Sequence, residues 1–343
     1  MNVTRRALCV AAGFITVWCG ASFAQQPAPS AEPTRTSAPA ETAPPSAQQP
    51  GAAGAAQQPG AAQTFRSNID VVSLNVTVAD GTGRYVTDLE EGDFLVFENG
   101  VKQDLSFFSR RQAPISLSML LDSSSSMESK LSTLQAAASS FVDRLKTADT
   151  AQIIEFNSTQ NVRQTFTSDH AALQRAIQML HAGGSTSLHN AIYVALKELK
   201  KVQSAPSDEN PRRQALVVFS DGQDTASLIP YEEVLDLAKR SETAIYTIGL
   251  RDAQARVRGF SDSEFVLRQL ALETGGRSFF PGTIDDLATV YSQIADELSS
   301  QYALAYSPKN TRHDGSYRRI VVQVSKPNLT SRTKQGYYAP TSR

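Results

Sequence analysis

Cysteine is all but missing from the 343-residue chain: Cys9 and Cys19 are its only two, and none follows. That excludes a disulfide framework and a cysteine-rich zinc site in the body of the protein, so the fold has to hold by its apolar core. Histidine is scarce as well. His170, His181, His189 and His313 show no paired metal-ligand spacing, and there is no Gly-x-Ser-x-Gly elbow, no Gly-x-x-x-x-Gly-Lys loop and no His-Glu-x-x-His helix. These absences argue against an enzyme. Nor does either sign of charge prevail: 33 Lys and Arg face 34 Asp and Glu, a net of −1 without a long basic run. The electrostatic footprint of a nucleic-acid binder is therefore lacking, and no nucleic-acid partner is expected.

Large apolar residues are missing from one long stretch. Residues 25–64 are almost wholly Pro, Ala, Gln, Gly, Ser and Thr and hold eight of the sixteen prolines. Such a stretch cannot bury enough surface to offset its ordering entropy, so a disordered, partly extended linker is expected there. The segment before it is the reverse: Arg5 and Arg6, then an apolar run from Ala7 to Gly20, then Ala21-Ser22-Phe23-Ala24. That is the pattern of a secretory signal peptide over residues 1–24, and only if it were retained would it anchor the chain in a membrane. Its removal leaves 31 basic against 34 acidic side chains, a net of −3, and no cysteine. Export without disulfides is common in bacteria, so the expected location is periplasm, cell surface or medium.

From residue 65 the pattern becomes structured. Val72 to Val78 alternates with period two, and Phe94-Leu95-Val96-Phe97 runs into Asn99-Gly100, a hairpin dipeptide, so residues 65–113 read as β. Over residues 114–300 the apolar runs Ile115 to Leu121, Ile153 to Phe156, Ala215 to Phe219 and Ala244 to Leu250 alternate with amphipathic helical stretches. That alternation predicts a doubly wound α/β domain with a mostly parallel sheet and helices on both faces. Residues 301–343 return to β, with Tyr302 to Tyr306, Tyr317 to Val324 and Thr333 to Tyr338. Each flank is too small to stand alone, so the two are expected to pair into one small β-sandwich into which the α/β domain is inserted.

In an open parallel sheet, ligands bind beyond the carboxyl ends of the strands, where strand order reverses. Three loops fall there: Asp122-Ser123-Ser124-Ser125-Ser126, Gly183-Gly184-Ser185-Thr186 and Ser220-Asp221-Gly222. They offer carboxylates and hydroxyls, the donor set of a hard divalent cation. Asp122, Ser124 and Ser126 alternate along an extended turn; Thr186 adds a hydroxyl and Asp221 a second carboxylate. Two carboxylates balance a dication formally, leaving it electrophilic toward a carboxylate from outside. Ser and Asp are also favoured helix caps. Three such loops at one sheet end favour a metal.

These residues, in this order and spacing, resemble the metal-ion-dependent adhesion site of von Willebrand factor type A domains. The resemblance spans about residues 114–300. It implies a Rossmann-like domain in which Ser124, Ser126 and Thr186 approach Mg2+, or Mn2+ or Ca2+, directly. Asp122 and Asp221 then bind directly or through water, and an acidic residue of a protein partner completes the shell. The stretch Val86-Thr87-Asp88-Leu89 through Asn99-Gly100, with Gly336-Tyr337-Tyr338, is similar to an exported bacterial family of von Willebrand factor A-related proteins described mainly from Acidobacteria. Three departures stand out: Ser125 where Gly is frequent, Asn190 where Asp is common, and Ser185 next to Thr186, which leaves two hydroxyls to choose between. The function implied is an exported, metal-dependent, adhesion-like protein-binding module. The alternative is an envelope scaffold whose metal site is structural or degenerate.

Overall fold

The computed structural model describes residues 70–111, 113–203, 212–220, 223–249, 262–282 and 286–341. All lie in one compact unit, Phe65–Arg343. The expected signal peptide and linker, and Asp221, lie outside the described residues.

The chain enters through Val72–Asp80 (β1), Phe94–Glu98 (β2), Val101–Gln103 (β3) and Leu105–Ser109 (β4). Asn99 and Gly100 join β2 to β3 with φ of 47° and 82°, the two positive values that a two-residue hairpin matched to strand twist requires. The central domain follows: Ile115–Asp122 (β5), Leu131–Val142 (α1), Thr150–Phe156 (β6), Gln160–Thr167 (β7), His170–Gln178 (α2), Leu188–Gln203 (α3), Arg213–Ser220 (β8), Tyr231–Arg240 (α4), Ala244–Gly249 (β9), Asp262–Thr274 (α5), Ser278–Phe279 (β10) and Leu287–Ser299 (α6). The chain leaves through Tyr302–Tyr306 (β11), Tyr317–Val324 (β12), Leu329–Arg332 (β13) and Gly336–Tyr338 (β14).

The central sheet has the order β10-β9-β8-β5-β6-β7, parallel except for β7. Strands β5, β6, β8 and β9 are buried on both faces because they serve two cores. Leu117, Met119 and Leu121 of β5 pack toward α1, α2 and α6, while Leu120 faces the core built with α3, α4 and α5. The chain moves from β5 to β6 and β7 on one side and then to β8 and β9 on the other. The order thus reverses beside β5, which makes the carboxyl ends of β5 and β8 the switch-point crevice.

The flanks do pair. β1 runs antiparallel to β11, with Val72 opposite Tyr306 and Val76 opposite Tyr302, and β12 runs antiparallel to β2. Two four-stranded sheets result, β13-β1-β11-β4 and β14-β12-β2-β3. They enclose a third core containing Val72, Leu74, Val76, Phe94, Val96, Tyr302, Leu304, Ile320 and Val322, the inward positions of an alternating pattern. The core also holds a charged cluster. Arg318 and Glu98, both fully buried, pair at 3.3 Å, and the Tyr306 and Tyr337 hydroxyls each donate to Glu98 at 2.9 Å.

A second buried carboxylate joins the central domain to its flanks. Glu297, near the end of α6, is fully buried and accepts from Tyr246 of β9 at 2.8 Å and from Tyr85 of the amino-terminal flank at 3.1 Å; it also pairs with Arg332 of β13. Desolvation and this carboxylate hold the Tyr246 phenol well above its ordinary value and push Tyr85 up to about 12.

The apolar runs Ile115 to Leu121, Ile153 to Phe156, Ala215 to Phe219 and Ala244 to Leu250 fall on β5, β6, β8 and β9. Two strands differ. β7 is not marked by an apolar pattern, since its side chains are half or fully exposed on an edge, and the strand expected over Thr333 to Tyr338 is shortened to Gly336–Tyr338 (β14), while Leu329–Arg332 just before it forms β13.

Candidate metal centre

Asp122 is the last residue of β5 and is fully buried, and its two oxygens are held separately. The Ser220 hydroxyl, from the end of β8, donates to Oδ2 at 2.5 Å, and the Ser124 amide donates to Oδ1 at 2.9 Å. A carboxylate fixed this way cannot turn freely, so its remaining lone pairs have set directions. Ser124 is buried and Ser126 exposed, yet their hydroxyls meet at 3.0 Å. This places the first three predicted donors in one cluster. Ser125 has no positive φ, so the turn accommodates its side chain where glycine is frequent. The turn is then pulled into the core by Met127, which is fully buried.

The second loop is bound to the first by its backbone. Gly183 donates to the Ser123 carbonyl at 2.8 Å, and Ser125 donates to the Gly184 carbonyl at 3.0 Å. Gly184 has φ of +83°, and a Cβ there would lie 2.5 Å from the Ser158 hydroxyl oxygen, so glycine is required twice over. Ser185 and Thr186 differ in surroundings because of that same Ser158. Its hydroxyl lies 3.0 Å from the Ser185 hydroxyl and accepts from the Ser185 amide at 3.0 Å, turning Ser185 to the surface. Thr186 is buried, and its hydroxyl makes no hydrogen bond among the described residues. Next along, Ser187 anchors the start of α3 to the end of β6, donating from its amide to the Asn157 carbonyl at 2.9 Å.

Asp221 and Gly222 lie outside the described residues, so the second predicted carboxylate has no described place. The loop beyond them is tied closely to Thr186. The Thr186 amide donates to the Thr225 hydroxyl at 3.0 Å, and its carbonyl accepts from the amides of Thr225 and Ala226 at 2.8 and 3.0 Å. Asp224 accepts from the His189 amide at 3.4 Å and from the Ser227 hydroxyl at 2.6 Å. Asn190, where an acid is common, accepts from Leu228 and Ile229 at 3.2 and 3.1 Å and so clamps this loop to the first turn of α3. Ser220, Thr225 and Asn190 are contributors that sequence reasoning did not assign. The signal for Ser220 was present in its place at the end of β8, beside Asp122 at the switch point.

The arrangement is an open cluster of hard oxygens, with one carboxylate and three hydroxyls from two loops and a third loop docked alongside. Among the described residues no group of three or more His, Cys, Asp or Glu is placed to hold a metal. The donor set fits Mg2+ or Mn2+.

The von Willebrand factor type A domain family matches residues 117–293, just over half of the chain, from the third residue of β5 through β10. The chain belongs to that family. The von Willebrand factor type A domain is a protein-interaction module and in many members binds a divalent metal. A curated relative, a UPF0353 protein of Nocardia farcinica (strain IFM 10152), is 25% identical over 211 residues, covering 52% of this chain and 62% of its own length. The chain thus spans less than two thirds of that relative. Among solved structures, the conserved hypothetical protein BatB from Bacteroides thetaiotaomicron is 17% identical with a TM-score of 0.43, over 54% of this chain and 100% of that one. A von Willebrand factor type A protein from Catenulispora acidiphila is 11% identical with a TM-score of 0.46, over 81% of this chain and 76% of that one.

Proposed function

We propose that the protein is an exported, metal-dependent protein-binding module that captures an acidic residue of its partner at the Asp122 cluster. The observation that carries this reading is the convergence of loops on Asp122: the Ser220 hydroxyl and Ser124 amide hold its carboxylate, the Ser126 hydroxyl meets Ser124, and the Thr186 hydroxyl is left without a hydrogen bond among the described residues. Asp122, Ser124, Ser126 and Thr186 would hold the cation, with Asp221 as the further carboxylate. A divalent cation bound there would supply a Lewis-acidic position for a carboxylate from outside, since the hydroxyl ligands add no negative charge beyond that of the two carboxylates.

The protein's own part is to hold these oxygens still. The backbone bonds of Ser123 and Ser125 to Gly183 and Gly184 fix the first two loops to each other, and Asn190 clamps Leu228 and Ile229 to α3, before any partner arrives, which lowers the ordering cost of binding. We read the module as a binder and not an enzyme: serine and threonine hydroxyls are no general bases at neutral pH, and the one histidine beside the loops, His189, faces Asp224 at 3.6 Å and the Tyr231 ring. Export through residues 1–24 to the periplasm, cell surface or medium completes the proposal.

Selection of a displayed random-peptide library on the immobilised protein tests it. With magnesium present, the reading expects enrichment of sequences containing Asp or Glu that elute with chelator and do not bind the Asp122→Ala variant. Enrichment indifferent to chelator and to that substitution would contradict it and favour a scaffold with a degenerate site.

A further inference from the structure

The loop between β8 and α4 carries a side chain that serves neither the metal donors nor the core. Leu228 is 91% exposed, and no other large apolar side chain among the described residues exceeds 60%. It is nonetheless held in place. The Thr225 and Ala226 amides donate to the Thr186 carbonyl at 2.8 and 3.0 Å, and the Leu228 and Ile229 amides donate to Asn190 Oδ1 at 3.2 and 3.1 Å. Between them the Ser227 hydroxyl donates to Asp224 at 2.6 Å and accepts from the Asn190 amide at 3.1 Å. Ile229 then packs against the core shared with α3, α4 and α5, and Pro230, with φ of −69°, is the N-cap of α4.

We propose, resting on the metal-dependent reading of the Asp122 cluster, that Leu228 is the apolar anchor of the partner-binding surface. The partner then presents a large apolar residue about two to four positions from the acid that the metal captures, the reach of an extended segment at about 3.3 Å per residue.

Position and energetics both support this. Leu228 lies two residues beyond Ala226, so its Cα stands at most about 7 Å from that of a residue hydrogen-bonded to the predicted donor Thr186. It is therefore continuous with the crevice where the partner's carboxylate arrives. A leucine left in water contributes nothing to the fold, and Asn, Asp, Ser or Gly would serve a plain turn. Its stabilisation is realised only when something apolar covers it. Because the amides of Thr225, Ala226, Leu228 and Ile229 are already bonded, covering it costs little backbone freedom. Asn190, which stands where an acid is common, is the residue that holds the anchor up.

Selection of a displayed random-peptide library in magnesium on the wild-type protein, with manganese titration of wild type and Leu228→Ser, tests the anchor separately from the metal. Manganese is expected to bind both proteins equally, because the substitution keeps the backbone bonds to Asn190. The wild-type pool is expected to carry Leu, Ile, Met or Phe about two to four residues from its Asp or Glu, and its peptides to bind Leu228→Ser about tenfold more weakly. Acidic peptides without a spaced apolar residue, or peptides that bind the two proteins equally, would overturn the anchor and leave metal-dependent capture standing. A pool without acid, or one indifferent to chelator, would overturn the metal-dependent reading and the paired motif with it. Weaker manganese binding by Leu228→Ser would also overturn the proposal, since the side chain would then serve the metal loops and not the partner.

Discussion

At the carboxyl ends of β5 and β8, Asp122 sits among hydroxyls and backbone groups, with Ser124, Ser126 and Ser220 linked by bonds of 2.5 to 3.0 Å. At the amino ends and along α6, polarity comes instead from buried charges: Arg213 under the end of α6 and Glu297 among Tyr246, Tyr85 and Arg332. Both ends are polar, yet they answer to different physics. Hydroxyls are cheap to bury and can be left turned toward a ligand, whereas a buried charge demands every partner it has. The carboxyl end is therefore where substitution should cost binding, and the region around α6 is where it should cost the fold.

The largest expected effect falls on that second region. Glu297→Ala leaves the half-buried Arg332 without its carboxylate and strips two phenols of their acceptor, so it should lower unfolding free energy by about 3 kcal/mol in denaturant titration. A loss below about 1 kcal/mol would erase the contrast. Gly184→Ala is the next largest and belongs to the carboxyl end: a positive φ and a 2.5 Å approach to Ser158 make it cost about 1 to 3 kcal/mol and displace Thr186. It should impair metal binding out of proportion to stability, as a manganese titration would reveal. Ser126→Ala, at an exposed position, should leave stability in chelator unchanged and weaken manganese about tenfold, close to 1.4 kcal/mol.

The smallest effect comes from the Asp80 turn, remote from both ends and a control for them. Hydrogen bonds from the Thr82 side chain, first, and then the Arg84 and Thr82 amides lower the Asp80 carboxyl to about 2. A carboxyl depressed in the folded state stabilises fully above its unfolded value near 3.9, and that contribution is lost as pH falls through about 2. Asp80→Asn should therefore lower stability slightly at neutral pH, where the carboxylate's contribution is fully present, and converge on the wild type as pH falls through that window, as thermal unfolding at stepped pH would record.

Much of this contrast is legible in the sequence, and unevenly so. Continuous apolar runs such as Ile115 to Leu121 mark strands buried on both faces, and alternation at Val72 to Val78 marks a strand buried on one, so the α/β domain and its paired flanks are readable from periodicity. Asp122, Ser124 and Ser126 are readable because they follow such a run, and Thr186 because it stands in a glycine- and hydroxyl-rich loop that opens a helix. β7 is not, because an exposed edge strand places no apolar period on Gln160–Thr167. The different surroundings of Ser185 and Thr186 depend on Ser158, which reaches the loop from the end of β6, a contact that no local spacing encodes. Glu297 and Arg213 are single charges inside amphipathic or apolar stretches, and nothing local identifies their partners in other elements.

The central claim is that the Asp122 cluster binds a divalent cation. Thermal unfolding of the wild-type protein in chelator and then in millimolar magnesium or manganese, beside Asp122→Ala, tests it most directly. At about 100 times the dissociation constant, bound metal should add about 2.7 kcal/mol to the native state, raising the wild-type midpoint by several degrees and leaving the variant unmoved. An equal midpoint in chelator and in metal for the wild type, or an equal rise in both proteins, would contradict the claim.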